Sequence, residues 1–364
     1  MSNALANACS LPLGQVALAA PQLCLLGTGT VGRAFVARYQ ALQRRRVGLP
    51  AFVWLANSRT VVECAHAPAQ ALTQANAAER GALAVVLPEN LRQGDIVVDA
   101  TASEVVAQRH AQWLRGGVHV VTANKLGQGA ALARAEQIHA ACHAVGAHYG
   151  DSATVGAGLP LLSSLRALVA GGDHIHAVEG ILSGSLAWLL HRYDGRCAFS
   201  ACVREAAAAG YTEPDPREDL SGEDVRRKLL ILARAAGLPL QAEQVHVESL
   251  VPEVLAAATL PALDAVLSEL DAPLAARLAQ ARAHGACLRF VGRFDAHGAS
   301  VGLRELPLSH SLVSGSGTDN RVAIYSDRYR QQPLLIQGPG AGAEVTAAAL
   351  LDDVLRIVMS ERWR

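Results

Sequence analysis

An apolar run, Gln22-Leu23-Cys24-Leu25-Leu26, passes directly into Gly27-Thr28-Gly29-Thr30-Val31-Gly32, and a helical stretch follows from Arg33 to about Arg44. This succession of strand, GxGxxG and helix constrains the chain more than any other feature. It predicts an α/β fold of the Rossmann type, a doubly wound parallel sheet that opens on a dinucleotide cradle. Gly27 permits the tight turn. Gly29 lets the backbone approach a pyrophosphate, and Gly32 lets the helix pack close to the strand. The helix N-terminus then faces the phosphates. Gly27, Thr28, Gly29, Thr30, Val31 and Gly32 are therefore the candidate cofactor contacts.

The next strand, Ala51 to Ala56, ends in Asn57-Ser58-Arg59. An acidic residue at that place holds the ribose 2′-hydroxyl of NAD. This chain offers Arg59, a cation that suits the 2′-phosphate of NADP, with NAD as the alternative. Further strands are expected at Ala84 to Leu87, Asp95 to Ala100 and Val118 to Val121. Thr101, at the end of the second of these, joins the candidate cofactor residues. Thr122-Ala123-Asn124-Lys125 follows the third and puts Lys125 at the carboxyl end of a strand, where ligands bind in such sheets. Strands alternating with helices define a dinucleotide-binding domain over 22–150. From Asp151 the texture changes, and 151–335 reads as a second, mixed α+β domain. The tail, 336–364, contains Gly338-Pro339-Gly340-Ala341-Gly342 and a last helix from about Val345 to Val358. Residues 1–21 read as a loose leader, because no basic n-region precedes Arg33, the first cation.

A chain of 364 residues has room for two cores. Its 32 basic and 32 acidic residues balance, which argues against nucleic acid or an anionic membrane surface as partner. No apolar stretch reaches the roughly 18 residues of a membrane span. Seven cysteines without a CxxC pair fit a reducing cytoplasm better than a disulfide framework or a zinc site. Among the 32 basic residues only Lys125 and Lys228 are lysines. Arginine replaces lysine on a solvated surface but cannot lose its proton. A lysine retained in such a chain is a candidate for a chemical task.

The stretch 210–237, GYTEPDPREDLSGEDVRRKLLILARAAG, gathers the chemistry. Gly210, Pro214 and Pro216 predict an extended loop that carries Glu213, Asp215, Glu218 and Asp219. Ser221 with Asp224 three residues on reads as a capping box that starts a helix, and Gly237 ends it. Val225, Leu229 and Leu232 form its buried stripe. Asp224 and Lys228, spaced i and i+4, share a face and can pair. Loop carboxylates would hold a substrate ammonium. A lysine beside a carbonyl can stabilise a developing oxyanion and pass it a proton. That set suits hydride exchange between a nicotinamide and an amino-acid aldehyde or alcohol.

GYTEPDPREDLSGEDVRRKLLILAR resembles the signature of homoserine dehydrogenases, as do GTGTVG, VVTANK, ATVGAGLP, GILSGSL and GPGAGAEVTAA. The resemblance runs in order over about 22–364. It implies a Rossmann domain completed by the C-terminal segment and joined to an α+β domain for substrate binding and dimer contacts. The implied activity is reduction of L-aspartate 4-semialdehyde to L-homoserine with NADPH or NADH, on the route to threonine and methionine, by a cytoplasmic homodimer. By the same resemblance Lys228 is the acid–base or polarising lysine, Lys125 is a second active-site lysine, and Asp224 orients the reacting oxygen or the lysine. Glu213 and Asp219 hold the polar end of the substrate, and Gly184, Ser185 and Tyr211 line its pocket. Gly340 and Gly342 close over the cofactor. A monovalent cation, sodium, is implied on main-chain oxygens of Ser152, Val155, Ala157 and Leu159. Ser152 replaces a commoner acidic residue and Ser185 a commoner threonine, while Leu126 and Glu344 also depart from the family pattern. With neither a kinase segment nor a threonine-binding domain in the sequence, a monofunctional enzyme with little inhibition by threonine is expected. The alternatives are a dehydrogenase of another small hydroxy amino acid and a non-catalytic dinucleotide-binding protein. Aspartate-semialdehyde dehydrogenase fits poorly, because no cysteine lies in a nucleophile motif.

Overall fold

A computed structural model describes residues 20–64, 67–79, 91–315 and 317–362. The expected strand at Ala84 to Leu87 and residues 1–19 of the leader lie outside the described residues. The first half runs β1 (Gln22–Leu26), α1 (Thr30–Arg44), β2 (Ala51–Ala56), β3 (Val61–Glu63), α2 (Pro68–Ala77), β4 (Ile96–Asp99), α3 (Glu104–Arg115), β5 (His119–Thr122), α4 (Leu132–Val145) and β6 (Tyr149–Gly150). These strands form one sheet in the order β3-β2-β1-β4-β5-β6. All pairs are parallel except β2 with β3, an antiparallel edge. Every residue of β4 and β5 is buried, as expected of central parallel strands covered by helices on both faces. The strand order reverses between β1 and β4, which opens a crevice at their carboxyl ends.

The second half runs α5 (Leu161–Ala170), β7 (Ile175–Ile181), α6 (Gly184–Arg192), α7 (Phe199–Ala208), α8 (Pro216–Leu220), α9 (Glu223–Ala235), β8 (Val245–Val247), α10 (Glu253–Ala257), α11 (Leu263–Val266), α12 (Asp271–Ala283), β9 (Ala286–Asp295), β10 (Gly298–Pro307), β11 (Asp319–Ser326), β12 (Leu334–Pro339) and α13 (Ala343–Arg362). Its sheet, β12-β11-β7-β9-β10-β8, is antiparallel apart from β8 beside β10. Helices α5, α6, α9 and α12 pack on it and α7 packs on α6 and α12, with Leu165, Leu189, Phe199, Leu229 and Leu278 in one cluster with Val178 and Phe290.

Helix α13 returns to the first sheet. Ala347, Leu350, Leu351, Val354, Ile357 and Val358 recur at helical spacing and pack with Leu25, Phe35 and Val98. The return begins later than position 336, because Ile336 to Pro339 pair with β11 in the second sheet. The chain thus leaves the first sheet after β6, builds the second, and comes back through α13.

Two local expectations are corrected. Pro216 does not keep its loop extended. It takes the first position of α8, where its missing N–H costs nothing, and Asp215 caps that helix by accepting from the Arg217 N–H at 3.0 Å. Ser221 does not open α9 in a capping box. It ends α8, and Gly222, at φ +78°, is the N-cap of α9. A Cβ on Gly222 would lie 2.8 Å from the Phe290 ring. Asp224 is thereby released from capping and turns toward the lysines.

Candidate active site

The glycine turn after β1 is built as its spacing predicts. Gly27 has φ +100°, and a Cβ there would lie 2.7 Å from the Ala100 carbonyl oxygen. A Cβ on Gly32 would lie 2.0 Å from the Gly27 oxygen, so α1 can approach β1 only with glycine at that point. Gly29 faces open space. That space belongs to a cleft of about 380 Å³ lined by Gly27, Thr28, Gly29, Ser58, Arg59 and Thr101, among others. Asn57 organises its rim by accepting from the Arg59 and Thr60 N–H groups and donating to Thr28 Oγ1 at 3.0 Å. The Arg59 guanidinium donates to the Ala78 carbonyl at 3.2 Å, and among the described residues no carboxylate lines the cleft.

Lys125 and Lys228 meet on one carboxylate. Lys228 Nζ lies 2.7 Å from Asp224 Oδ2, and Lys125 Nζ lies 3.2 Å from Asp224 Oδ1. Lys228 is buried, at 8% exposure, and also donates to the Leu182 carbonyl at 2.7 Å. Lys125 and Asp224 are each about one-third exposed, their side chains at 34% and 39%. Desolvation alone would raise the Asp224 carboxyl. The ammonium charges of Lys228 and Lys125 outweigh it and hold the group well below the usual carboxylate range. Asp224 is therefore ionised at any working pH.

Backbone contacts bring the loop after β5 onto α9. A Cβ on Gly129 would come within 2.9 Å of the Arg227 carbonyl oxygen, and Arg234 Nη1 donates to the Gln128 carbonyl. Neither Gly129 nor Arg234 carries a sequence signal for this role. The Leu182 carbonyl is invisible in sequence for the same reason, since any residue supplies one.

Leu182 leads from β7 into α6, and a polar chain continues from there. Ser183 caps α6 by accepting from the Leu186 N–H and lies 3.0 Å from Ser185 Oγ. Ser185 Oγ donates to Asp219 Oδ1 at 2.5 Å, and the Glu213 N–H donates to Asp219 Oδ2 at 2.8 Å. Asp219, Ser185 and Glu213 thus stand together. Gly184 begins α6 against Thr318, whose carbonyl oxygen a Cβ would meet at 3.1 Å. Tyr211 is exposed and packs on Trp188 of α6, with ring centroids 5.1 Å apart. Of the loop carboxylates, Asp215 is taken up by Arg217 at 2.6 Å and serves the local structure.

The loop 152–159 lies along α13, with Gly158 beside Val345 near its start and Ser152 beside Asp353 in its middle. Ser152 donates to the Asp353 carboxyl through its N–H at 3.0 Å and its hydroxyl at 2.9 Å. Gly156 and Ala157 are consecutive left-handed residues, at φ +71° and +49°. Val155 and Ala157 are buried, and the Leu159 carbonyl accepts from the Leu161 N–H. Gly340 lies against Asn320, with which any Cβ would overlap, and Gly342 has φ +127°. Among the described residues no group of three or more His, Cys, Asp or Glu side chains could hold a metal ion. No described helix is long and apolar enough to cross a membrane.

Comparison with known proteins agrees with this architecture. Residues 27–150 match the model of the homoserine dehydrogenase NAD-binding domain, and residues 160–355 match the homoserine dehydrogenase model. A bifunctional aspartokinase/homoserine dehydrogenase 2 of Zea mays is 44% identical over 267 residues, 72% of this chain. The match spans 29% of that relative's length. A homoserine dehydrogenase of Paracoccidioides brasiliensis is 38% identical over 275 residues, covering 72% of this chain and 74% of that protein. A crystal structure of a Candida auris protein of unknown function superposes with a TM-score of 0.82 at 34% identity, over 93% of this chain and 98% of that one. With a nucleotide cradle, a two-lysine seam and both family models in register along it, the chain belongs to the homoserine dehydrogenase family.

Proposed function

We propose that this chain catalyses the NADP-dependent interconversion of L-aspartate 4-semialdehyde and L-homoserine. The observation that carries the reading is the bridging of its two lysines by Asp224, at the seam between the sheets. The dinucleotide cleft is connected to that seam through Asn124, which donates to the carbonyl of Ser103, a cleft residue.

The open face of Gly29 and a rim without a carboxylate among the described residues fit a dinucleotide phosphate. Gly27, Thr28, Gly29, Thr30, Val31 and Gly32 would hold the pyrophosphate at the start of α1. Arg59 would take the 2′-phosphate, and Thr101, Lys125, Gly340 and Gly342 would border the rest. When bound, the nicotinamide supplies or accepts the hydride. Lys228 uses two of its three donors on Asp224 and Leu182. Its remaining donor serves the substrate's reacting oxygen, stabilising negative charge there and moving the proton. Asp224 keeps both ammonium groups oriented. Asp219 and Glu213 take the substrate's polar end, with Gly184, Ser185 and Tyr211 around it.

The carbonyl oxygens of Ser152, Val155, Ala157 and Leu159 are proposed to hold sodium. The left-handed backbone at Gly156 and Ala157 supports this, because a bound cation would offset the strain of a non-glycine residue there. A homodimer in the cytoplasm completes the reading.

The test is steady-state NADP reduction with L-homoserine, compared with L-serine and L-threonine. Turnover confined to homoserine is expected. Turnover on another hydroxy amino acid, or NADP binding without turnover, would replace this assignment. Substituting tetramethylammonium for sodium in the same assay should lower the rate, and light scattering should report two chains. Reversing the charge at Arg59 bears on the cofactor. Arg59→Asp should shift the ratio of kcat/KM for NADP over NAD by about tenfold toward NAD, the size of one charged hydrogen bond. An unchanged ratio would mean that Arg59 does not read the phosphate.

A further inference from the structure

Beneath Lys125 lies a buried polar network that the proposed reaction does not use directly. Asp99, at the carboxyl end of β4, and His110, on α3, are fully buried, and Asn124 is 2% exposed. Asp99 Oδ1 accepts from the Thr101 N–H at 2.9 Å and the Thr101 hydroxyl at 2.6 Å. Asp99 Oδ2 lies 3.0 Å from His110 Nε2 and accepts from Asn124 Nδ2 at 3.0 Å. His110 Nδ1 shares a hydrogen bond with the Tyr149 hydroxyl at 3.1 Å. The same Asn124 amide donates to the Ser103 carbonyl at 2.9 Å, and its oxygen accepts from the Leu126 N–H at 3.1 Å. Asn124 therefore fixes the backbone on both sides of Lys125.

Apolar side chains would fill this space with less risk, since a partly satisfied polar cluster in a core is costly. The network is instead fully paired, and it sits where the cleft and the lysine loop meet. One carboxylate holds Thr101 of the cleft with one oxygen and the anchor of Lys125 with the other.

We propose that His110 is a positioning residue. Through Asp99 and Asn124 it holds the Lys125 backbone so that the ammonium stays against Asp224. The consequence for turnover rests on the function proposed above. The consequence for the Lys125 amine does not.

The test uses His110→Phe, which keeps a ring and removes both hydrogen bonds, and His110→Gln, whose amide can still donate to Asp99. The first readout needs no turnover. Lys125 and Lys228 are the chain's only lysines, so their rates of acetylation by acetic anhydride are separable by peptide mass spectrometry. In His110→Phe the Lys125 rate should rise about three- to tenfold, the size of the net contribution of one typical hydrogen bond. Lys228, held by Leu182 and Asp224, should stay unchanged, and His110→Gln should restore the Lys125 rate. If His110→Phe fails to fold, Asn124→Ala leaves Asp99 and His110 paired and should expose Lys125 in the same way. An unchanged Lys125 rate in a folded variant overturns the proposal. The second readout is kcat with homoserine. His110→Phe should lower it about tenfold in the wild-type background and not further in Lys125→Met. Equal losses in both backgrounds would show that His110 acts by another route. A protein that leaves homoserine untouched fails the functional reading alone, because the acetylation result still decides this one.

Discussion

Replacing Lys228 with arginine should lower turnover on homoserine by roughly 10²–10⁴-fold, the usual loss when a proton-transferring group is removed. The positive charge is kept, so the field at Asp224 changes little. Geometry and proton chemistry do change. The ammonium is a point donor, buried, with one bond at 2.7 Å to Asp224 and another at 2.7 Å to the Leu182 carbonyl. A guanidinium is planar and longer, and it does not release its proton at usable pH. It can pair with Asp224 and still fail to present one donor to the substrate oxygen. NADP affinity should stay within about threefold of wild type, because Lys228 lies outside the residues lining the dinucleotide cleft. Steady-state kinetics together with NADP titration separate these effects. Near-normal kcat in Lys228→Arg would remove Lys228 from proton transfer and leave it a structural ion pair.

The legibility of this site in the sequence divides by the kind of atom involved. The GxGxxG turn was readable because its glycines answer to local sterics. Gly27 and Gly32 are surrounded by backbone only a few residues away or on the adjacent strand. The parallel sheet is readable because β4 and β5 carry short β-branched runs, Ile96-Val97-Val98 and Val120-Val121, each followed by a polar residue. The scarcity of lysine singles out Lys125 and Lys228, and their convergence on Asp224 is a tertiary fact that spacing gives only in half. The i, i+4 geometry provides Lys228 with Asp224. Lys125 arrives through Gly129 and Arg234, which dock its loop on α9. Gly184 and Ser185, proposed to line the substrate pocket, follow from family resemblance alone, because nothing in their own chemistry distinguishes them. Two misreadings share one cause. Pro216 reads as a breaker and Ser221 as a helix start only if one helix is assumed, whereas a short helix, α8, and the longer α9 meet at Gly222. His110 gave no signal at all. A lone histidine on an apolar helix face is usually a satisfied core residue, and only the positions of Asp99 and Asn124 give it a direction.

Removing the guanidinium of Arg166 should destabilise the fold by about 3 kcal/mol, the lower end of the cost of leaving a buried charge unpaired. Asp151 is fully buried and receives both of its bonds from Arg166, each at 2.7 Å. The attraction of Asp151 holds the guanidinium above its ordinary proton affinity, against a smaller loss from desolvation. A second buried acid lies close by. Burial pushes the Asp353 carboxyl up, with Arg356 and the Ser152 donors opposing that push. Two carboxylates therefore depend on few cations, and Asp151 depends on one. The lower end of the range applies because the Arg166 side chain is 43% exposed and water reaches the pair from that side. The site feels the change because Asp151 and Asp353 bracket Ser152, where the loop proposed to hold a cation begins. Arg166→Met keeps the aliphatic stem and removes the charge. Its urea midpoint, followed by circular dichroism, should fall below that of wild type. Adding Asp151→Asn should recover much of the loss, since the unpaired charge is then gone. If Arg166→Met unfolds at the wild-type midpoint, or if Asp151→Asn adds a second loss to the first, an unpaired Asp151 charge is not the source of the instability. The loop would then be held by Asp353 and Ser152 without help from Arg166.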